Sequence, residues 1–309
     1  MKRGSSGKKH GRKAGFKFSH AIKHSKLFNN PDGTSRGFLA TFETKLITVG
    51  ITEALAVLNY YADRLYGASE ETEDGEKKRF CVYDAGVAGL AAIRAVDDVV
   101  QPVALAKYIA ECLSTGPIDD GAIMVARAKS LQRLQPVELF CAASAETLRL
   151  AVQPLLSKTF PPAPGAAAEE GAAAATTTNA KGMTFAVAIN TRGSSRLTRE
   201  EAIETVTGLV ATPPNSVDLK APQMTVSLDV FKSACGVACI SEYGKFRKFN
   251  LRLLLGDRVP KELLKKPKKI RKIATDQSSA PSSSSSSDQP TAVSDTKESS
   301  HPTAESVDK

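Results

Sequence analysis

Three arginines fall within ten residues at Asn190-Thr191-Arg192-Gly193-Ser194-Ser195-Arg196-Leu197-Thr198-Arg199, between a strand-like alternation and a helix-like period. A turn at a helix start offers guanidinium groups beside unpaired backbone N–H donors, and both suit a phosphate. The same arginines could equally lie solvated, with Arg199 on the helix surface. A second segment, Tyr243-Gly244-Lys245-Phe246-Arg247-Lys248-Phe249-Asn250-Leu251, interleaves three rings with three cations. Its rings could stack bases while the cations pair phosphates. Alternatively Phe246 and Phe249, with Leu253 beyond, anchor a short helix in the core and leave Lys245, Arg247 and Lys248 outside. The candidate polyanion contacts are therefore Arg192, Arg196, Arg199, Lys245, Arg247 and Lys248, with Lys232 between two predicted strands as a seventh.

Chemistry of other kinds is not visible. All four histidines (His10, His20, His24, His301) lie in segments expected to be disordered, whereas an acid/base catalyst or zinc site usually needs His on a rigid element. Cys235 and Cys239 lack a second pair, so no metal site is expected. The five cysteines are odd in number and scattered through apolar surroundings, which suits reduced, buried thiols in an intracellular protein. Gly86 and Gly89 lack the spacing of a dinucleotide fingerprint, and no Gly-Lys-Ser/Thr phosphate loop occurs. The acid pairs Asp97/Asp98 and Asp119/Asp120 fall at expected element ends, where solvated carboxylates are normal. No catalytic residue, metal or cofactor is expected. Neither is a membrane span, since no run of about 18 apolar residues exists, nor a secretory leader after Met-Lys-Arg-Gly.

Charge is unevenly distributed. Residues 1–31 hold nine Lys/Arg and no acid, which equals the net +9 of the whole chain. Residues 32–179 hold 13 basic and 19 acidic side chains, and residues 180–255 hold 10 and 6, so the second half is the better face for a polyanion. The arm alone could instead serve solubility or nuclear import.

Three segments are too polar or too simple in composition to build a core: the basic arm 1–34, an Ala/Glu/Thr-rich insertion at 161–182, and a basic, then Ser-rich, tail at 258–309. The remainder predicts an α+β fold. Strands are expected at Gly37–Phe42, near Leu90–Val96, around Ala122–Ala126, at Met183–Ile189, and as an antiparallel pair Met224–Phe231 and Ala234–Ile240. Helices are expected from Ile51 to a stop at Gly67, from Pro102 to Gly116, after a Ser144 cap, and after a Thr198/Glu201 capping box. The acidic run Glu70–Glu76 and residues Val217–Pro222 read as loops.

The segment Ser216-Val217-Asp218-Leu219-Lys220-Ala221-Pro222, the strand to Phe231, and Phe246-Arg247-Lys248-Phe249-Asn250-Leu251 closely resemble the THUMP-domain adaptor family of tRNA acetylation. Ile189–Arg192 and Arg199–Ile203 match as well. Ser35–Thr41, Leu58-Asn59 and Asp63–Gly67 resemble that family's amino-terminal ferredoxin-like lobe. The likeness spans about 35–255 and implies a ferredoxin-like lobe at 35–100 followed by a THUMP RNA-binding domain at 101–257. Other THUMP proteins add a methyltransferase, thiolation or deaminase domain, and the residues after 257 look too few and too polar for one. Gly193 departs from the larger polar residue expected after Arg192. The resemblance implies a non-catalytic nuclear, nucleolar protein that binds serine and leucine tRNAs. It would present their D-arm to an RNA N-acetyltransferase for N4-acetylcytidine formation. A ribosome-assembly protein that binds structured RNA without a modification role is the competing reading.

Overall fold

The computed structural model describes residues 35–68, 71–72, 75–76, 78–160 and 182–264. The expected arm, most of the insertion, nearly all of the tail and all four histidines lie outside them. Strand β1 (Gly37–Phe42) buries Phe38, Ala40 and Phe42 on one face. Helix α1 (Ile47–Tyr66) covers that face with Ile51, Ala54, Val57, Leu58, Tyr61 and Ala62, spaced three and four apart as a helix seam requires. It stops at Gly67, whose φ of 85° is open to glycine at little cost. The acidic run carries a minimal ladder, β2 (Glu71–Thr72) on β3 (Gly75–Glu76), where a plain loop is expected from sequence.

Strands β4 (Phe80–Asp84) and β5 (Leu90–Ala95) form a hairpin, and helix α2 (Pro102–Ser114) starts on its proline. Residues 120–127 then depart from expectation. They form helix α3 (Asp120–Arg127), not a strand. A short apolar run has no decisive period, and here the cap decides: the Asp119 carboxylate accepts the Ala122 N–H at 2.8 Å. Gly121 is also required, because a Cβ there would lie 2.5 Å from the Tyr61 ring.

Strand β6 (Leu131–Val137) completes a four-stranded antiparallel sheet of order β4-β5-β1-β6. The succession β1, α1, β4, β5, α2, β6 in that order is the ferredoxin-like arrangement. It closes at Val137 and not near residue 100, because β1 is central and needs β6 on its second edge. As an edge strand, β6 tolerates Pro136.

One residue, Glu138, separates β6 from β7 (Leu139–Ala142) of the second sheet. Helix α4 (Ala145–Thr159) begins on Ser144, whose hydroxyl accepts the Thr147 N–H. Strand β8 (Thr184–Arg192), helix α5 (Arg199–Thr207), and strands β9 (Ser216–Val217), β10 (Met224–Phe231) and β11 (Ala234–Ser241) follow, in sheet order β7-β11-β10-β8-β9. The β10–β11 pair is antiparallel as expected, and β8 runs parallel to β10. Val226, Leu228 and Val230 of β10 face a core shared with Leu148, Val152, Ala202 and Val206 of the two helices. The opposite face meets the first lobe. There Phe231, Ala234 and Phe140 pack on Leu39, Leu90 and Ala92, and Gln135 donates to the Ser227 hydroxyl at 3.0 Å.

After β11 the chain returns. Tyr243, Phe246, Phe249, Leu251, Leu254 and Leu255 join the first lobe's core, the last three from helix α6 (Leu251–Leu255), and a final turn α7 (Lys261–Leu264) packs beside α3. The first lobe is thus built from 37–137 together with 243–264. Among the described residues no helix is long and apolar enough to cross a membrane.

Candidate nucleic-acid interface

At the carboxyl end of β8, Arg192 pairs in register with Phe231, and the Lys232 N–H donates to the Arg192 carbonyl at 3.3 Å. Lys232 sits in the two-residue turn between β10 and β11, with a left-handed φ of 50°. Its side chain passes over Gly193, where an added Cβ would lie 3.5 Å from the Lys232 Nζ. With φ of 60°, Gly193 serves the turn itself, in a backbone that a larger residue adopts only at a cost. Arg196 is exposed on the following loop, held by the buried Leu197. The capping box predicted at Thr198 and Glu201 is present in full. Arg199 reaches back and donates from Nη1 to the Ile189 carbonyl at 3.0 Å, so part of its fork holds helix to strand.

The second segment resolves its two readings in favour of the core for the rings. Phe246 and Phe249 are 2% and 1% exposed and stack with centroids 5.8 Å apart. Between them Arg247 and Lys248 are exposed. Arg247, Lys248 and Phe249 have φ of 49°, 53° and 56°, three successive residues in the left-handed region. Each such non-glycine residue costs about 1–2 kcal/mol. The N–H groups of residues 246–250 are all taken by carbonyls of residues 242–247, so this turn offers a ligand its side chains and not its amides. Lys245 is drawn aside: its ammonium lies 2.8 Å from Glu242 and above the Phe246 ring.

A residue missed in the sequence joins the two groups. Arg133 in β6 pairs with Thr41 on one side and bridges to Asn250, just past the strained turn, on the other. It lies near Asp229 of β10, whose Oδ1 accepts from Asn190 at 3.0 Å. Burial pushes the Asp229 carboxyl up, opposed by the Asn190 hydrogen bond and then by the charges of Arg192 and Arg133. Arg192 and Arg133 both act on Asp229, Lys232 bonds to Arg192, and Arg247 and Lys248 precede the Asn250 that bridges to Arg133; we call this succession the cationic path, with Arg196 and Arg199 on the loop and helix after Arg192. The apolar residues of Leu131-Gln132-Arg133-Leu134-Gln135 are three apart and show no strand alternation, so no local signal in the sequence marks Arg133.

Residues 142–239 match the THUMP domain family model, a span from the end of β7 into β11. The second lobe is a THUMP domain. Over 250 residues the chain is 25% identical to human THUMP domain-containing protein 1, covering 71% of this chain and 61% of that protein. The bovine protein of that name is 37% identical over 70 residues, which is 22% of this chain and 20% of that one. The Drosophila melanogaster homolog is 23% identical over 263 residues, 70% of this chain and 72% of that one. The chain thus spans about three fifths of the human relative's length. TrmN from Thermus thermophilus superposes over 66% of this chain and 45% of its own at 14% identity, with a TM-score of 0.31 that is too low to relate the two.

Proposed function

We propose that this chain is a non-catalytic tRNA-binding adaptor that presents the tRNA D-arm to a separate RNA N-acetyltransferase for N4-acetylcytidine formation. The observation that carries the reading is the cationic path. Of the five non-glycine residues with left-handed backbone among the described residues, three are candidate phosphate contacts: Lys232, Arg247 and Lys248. Backbone strain concentrated under exposed cations suits a site selected for display over stability. The THUMP module supports an RNA ligand. Burial raises the thiols of Cys112 and Cys239, and a hydrogen bond with Cys141, followed by burial, raises that of Cys235, which favours packing over nucleophilic roles for them.

On this reading the protein acts by position. Fixing the D-arm beside the acetyltransferase raises effective concentration and orients the cytidine amine, which needs no acid, base or nucleophile from this chain. Serine and leucine tRNAs are the proposed ligands, and the nucleolus the proposed site of action. The test is reconstitution with transcript tRNA, acetyl-coenzyme A and ATP: product should require both proteins. Acetylation by this chain alone, or at equal rate by the acetyltransferase alone, refutes the adaptor role. Sequencing of RNA crosslinked in cells should recover tRNA, and recovery of ribosomal precursors alone would favour an assembly role.

A further inference from the structure

The helical face of the first lobe carries a groove that the cationic path does not use. It lies between α1 and α3, encloses about 450 Å³, and continues into a recess of about 240 Å³ that shares Met124 and Arg127 with it. The helices touch where Gly121 lies against Tyr61. Further along, the small side chains of Ala56 and Ala128 leave the space open. Two exposed apolar side chains stand at its edge, Val49 at 41% and Met124 at 37%. Val49, Thr52, Ala56 and Tyr60 line one stripe of α1 at helical spacing. From first to last that stripe is about 16 Å long, or three turns of a helix lying alongside.

The charges around the groove select its occupant. Glu53 is the acid in the wall, and its two oxygens accept the N–H groups of Lys129, Ser130 and Leu131 at 2.7, 3.0 and 2.9 Å, so it is turned inward. Arg127 lines the groove, its guanidinium also donating to the Leu263 carbonyl, and exposed Lys129 follows the lining Ala128 while exposed Lys45 and Glu43 precede Val49 in the chain, a basic excess of three to one among these exposed ions. In the recess Asp120 faces the same Arg127, and Arg64 donates to the Tyr60 hydroxyl at 3.0 Å. We propose that this groove docks a three-turn amphipathic helix of a protein partner, apolar on its inner face and acidic where it passes Lys45, Arg127 and Lys129. Apolar anchors in a groove with i, i+3/i+4, i+7 spacing are the general mode of such recognition. A nucleic acid fits the groove poorly, because its walls are aliphatic and offer one ring, Tyr60. The inference does not rest on the RNA reading: Arg133 lies on the opposite face of the same sheet, so both surfaces can be filled at once.

The test uses the full chain and two fluorescent three-turn peptides with Leu at positions i, i+4, i+7 and i+11, one filled with Glu and one with Lys elsewhere. By fluorescence anisotropy the Glu peptide should bind at least about tenfold more tightly than the Lys peptide. Met124→Glu, and separately Ala56→Leu, which fills the groove without adding charge, should each weaken it by about tenfold at unchanged melting temperature. Lys45→Glu with Lys129→Glu should narrow the preference for the Glu peptide. Saturating tRNA should leave peptide binding intact. The proposal is overturned if neither peptide binds, if the two bind equally, if neither groove variant matters, or if tRNA displaces the peptide. It is also overturned if the protein self-associates and Met124→Glu abolishes that, since the occupant is then a second copy.

Discussion

Replacing Lys248 by glycine should make the protein more stable and a weaker RNA binder. With φ of 53°, Lys248 sits where a side chain costs about 1–2 kcal/mol. Glycine removes that cost but returns about 0.5–1 kcal/mol through its greater freedom in the unfolded chain. The net gain is about 0.5–1 kcal/mol, or a rise in melting temperature of roughly 1–4 °C for a chain of this size. Arg247→Gly should behave alike. Three left-handed residues cost about 3–6 kcal/mol in all, while burying the Phe246 and Phe249 rings yields about as much. The turn is then close to neutral for folding, and stability alone gives no reason to place two cations on it. In anisotropy titrations with tRNA, each lost phosphate contact should lower the log–log salt slope by about 0.7–0.9. Lys248→Asn, which tolerates the same backbone, separates loss of charge from relief of strain. If the glycine variants melt lower, the turn is not left-handed in solution. If they bind tRNA with unchanged affinity and slope, these cations are not on the phosphate face.

Asp229→Asn should raise the melting temperature at neutral pH and tighten tRNA binding, because it removes a buried charge and frees Arg133 and Arg192 from an acidic neighbour. Since burial raises the Asp229 carboxyl, the folded state holds its proton to higher pH than the unfolded chain. Wild-type stability should therefore fall as pH rises through the window just above the ordinary carboxylate range, and the variant should lose that slope. Asp119→Ala should cost about 2–4 kcal/mol in denaturant unfolding, for it removes a cap and leaves the buried Tyr61 hydroxyl without its 3.1 Å acceptor. A cost near zero would mean α3 forms without its cap. A fragment ending at residue 241 should fail to give a cooperative transition, since Tyr243, Phe246, Phe249 and Leu254 leave the first lobe's core with it. A soluble, sharply melting fragment would refute the returning segment's role. Native alkylation should be slow at Cys239, whose thiol burial pushes up to about 12, and prompt labelling there would show the second lobe to be opening.

Much of this fold was legible because its signals are local. The run Gly37–Phe42, the glycine stop after α1, the proline start of α2, the Ser144 cap and the Thr198/Glu201 box each declare themselves within six residues or fewer. What was not legible is what depends on partners. Residues 122–126 read as a strand because nothing in the run itself reveals that Asp119 will close on Ala122 or that Gly121 must fit under Tyr61. Strand β6 shows a proline and two glutamines, poor marks for a strand until β1 is known to lack a second neighbour. The lobe boundary near 100 failed for the same reason: the fourth strand of a ferredoxin-like sheet belongs by pairing to a strand about ninety residues earlier.

That dependence on pairing also bears on how the cationic path is held. Arg133 comes from the first sheet, Arg192 and Lys232 from the second, and Arg247 and Lys248 from the segment returning between them. Separate lobes on a flexible hinge would hold such cations at variable spacing and lose ordering entropy on every phosphate engaged. Here the lobes are tied three ways. Glu138 alone links β6 to β7, and its carboxylate accepts the Cys239 N–H across the junction at 2.8 Å. Gln135 joins Ser227 to the Tyr243 hydroxyl through 3.0 and 3.3 Å bonds. The chain then crosses back to place three rings, Tyr243, Phe246 and Phe249, in the first core. The backbone positions of the five cations are therefore fixed by the fold, and on the proposed RNA reading their affinity should depend on Gln135 and Tyr243 as well. Gln135→Leu, similar in size but unable to bridge, should weaken tRNA binding while Arg133 and Arg192 remain in place.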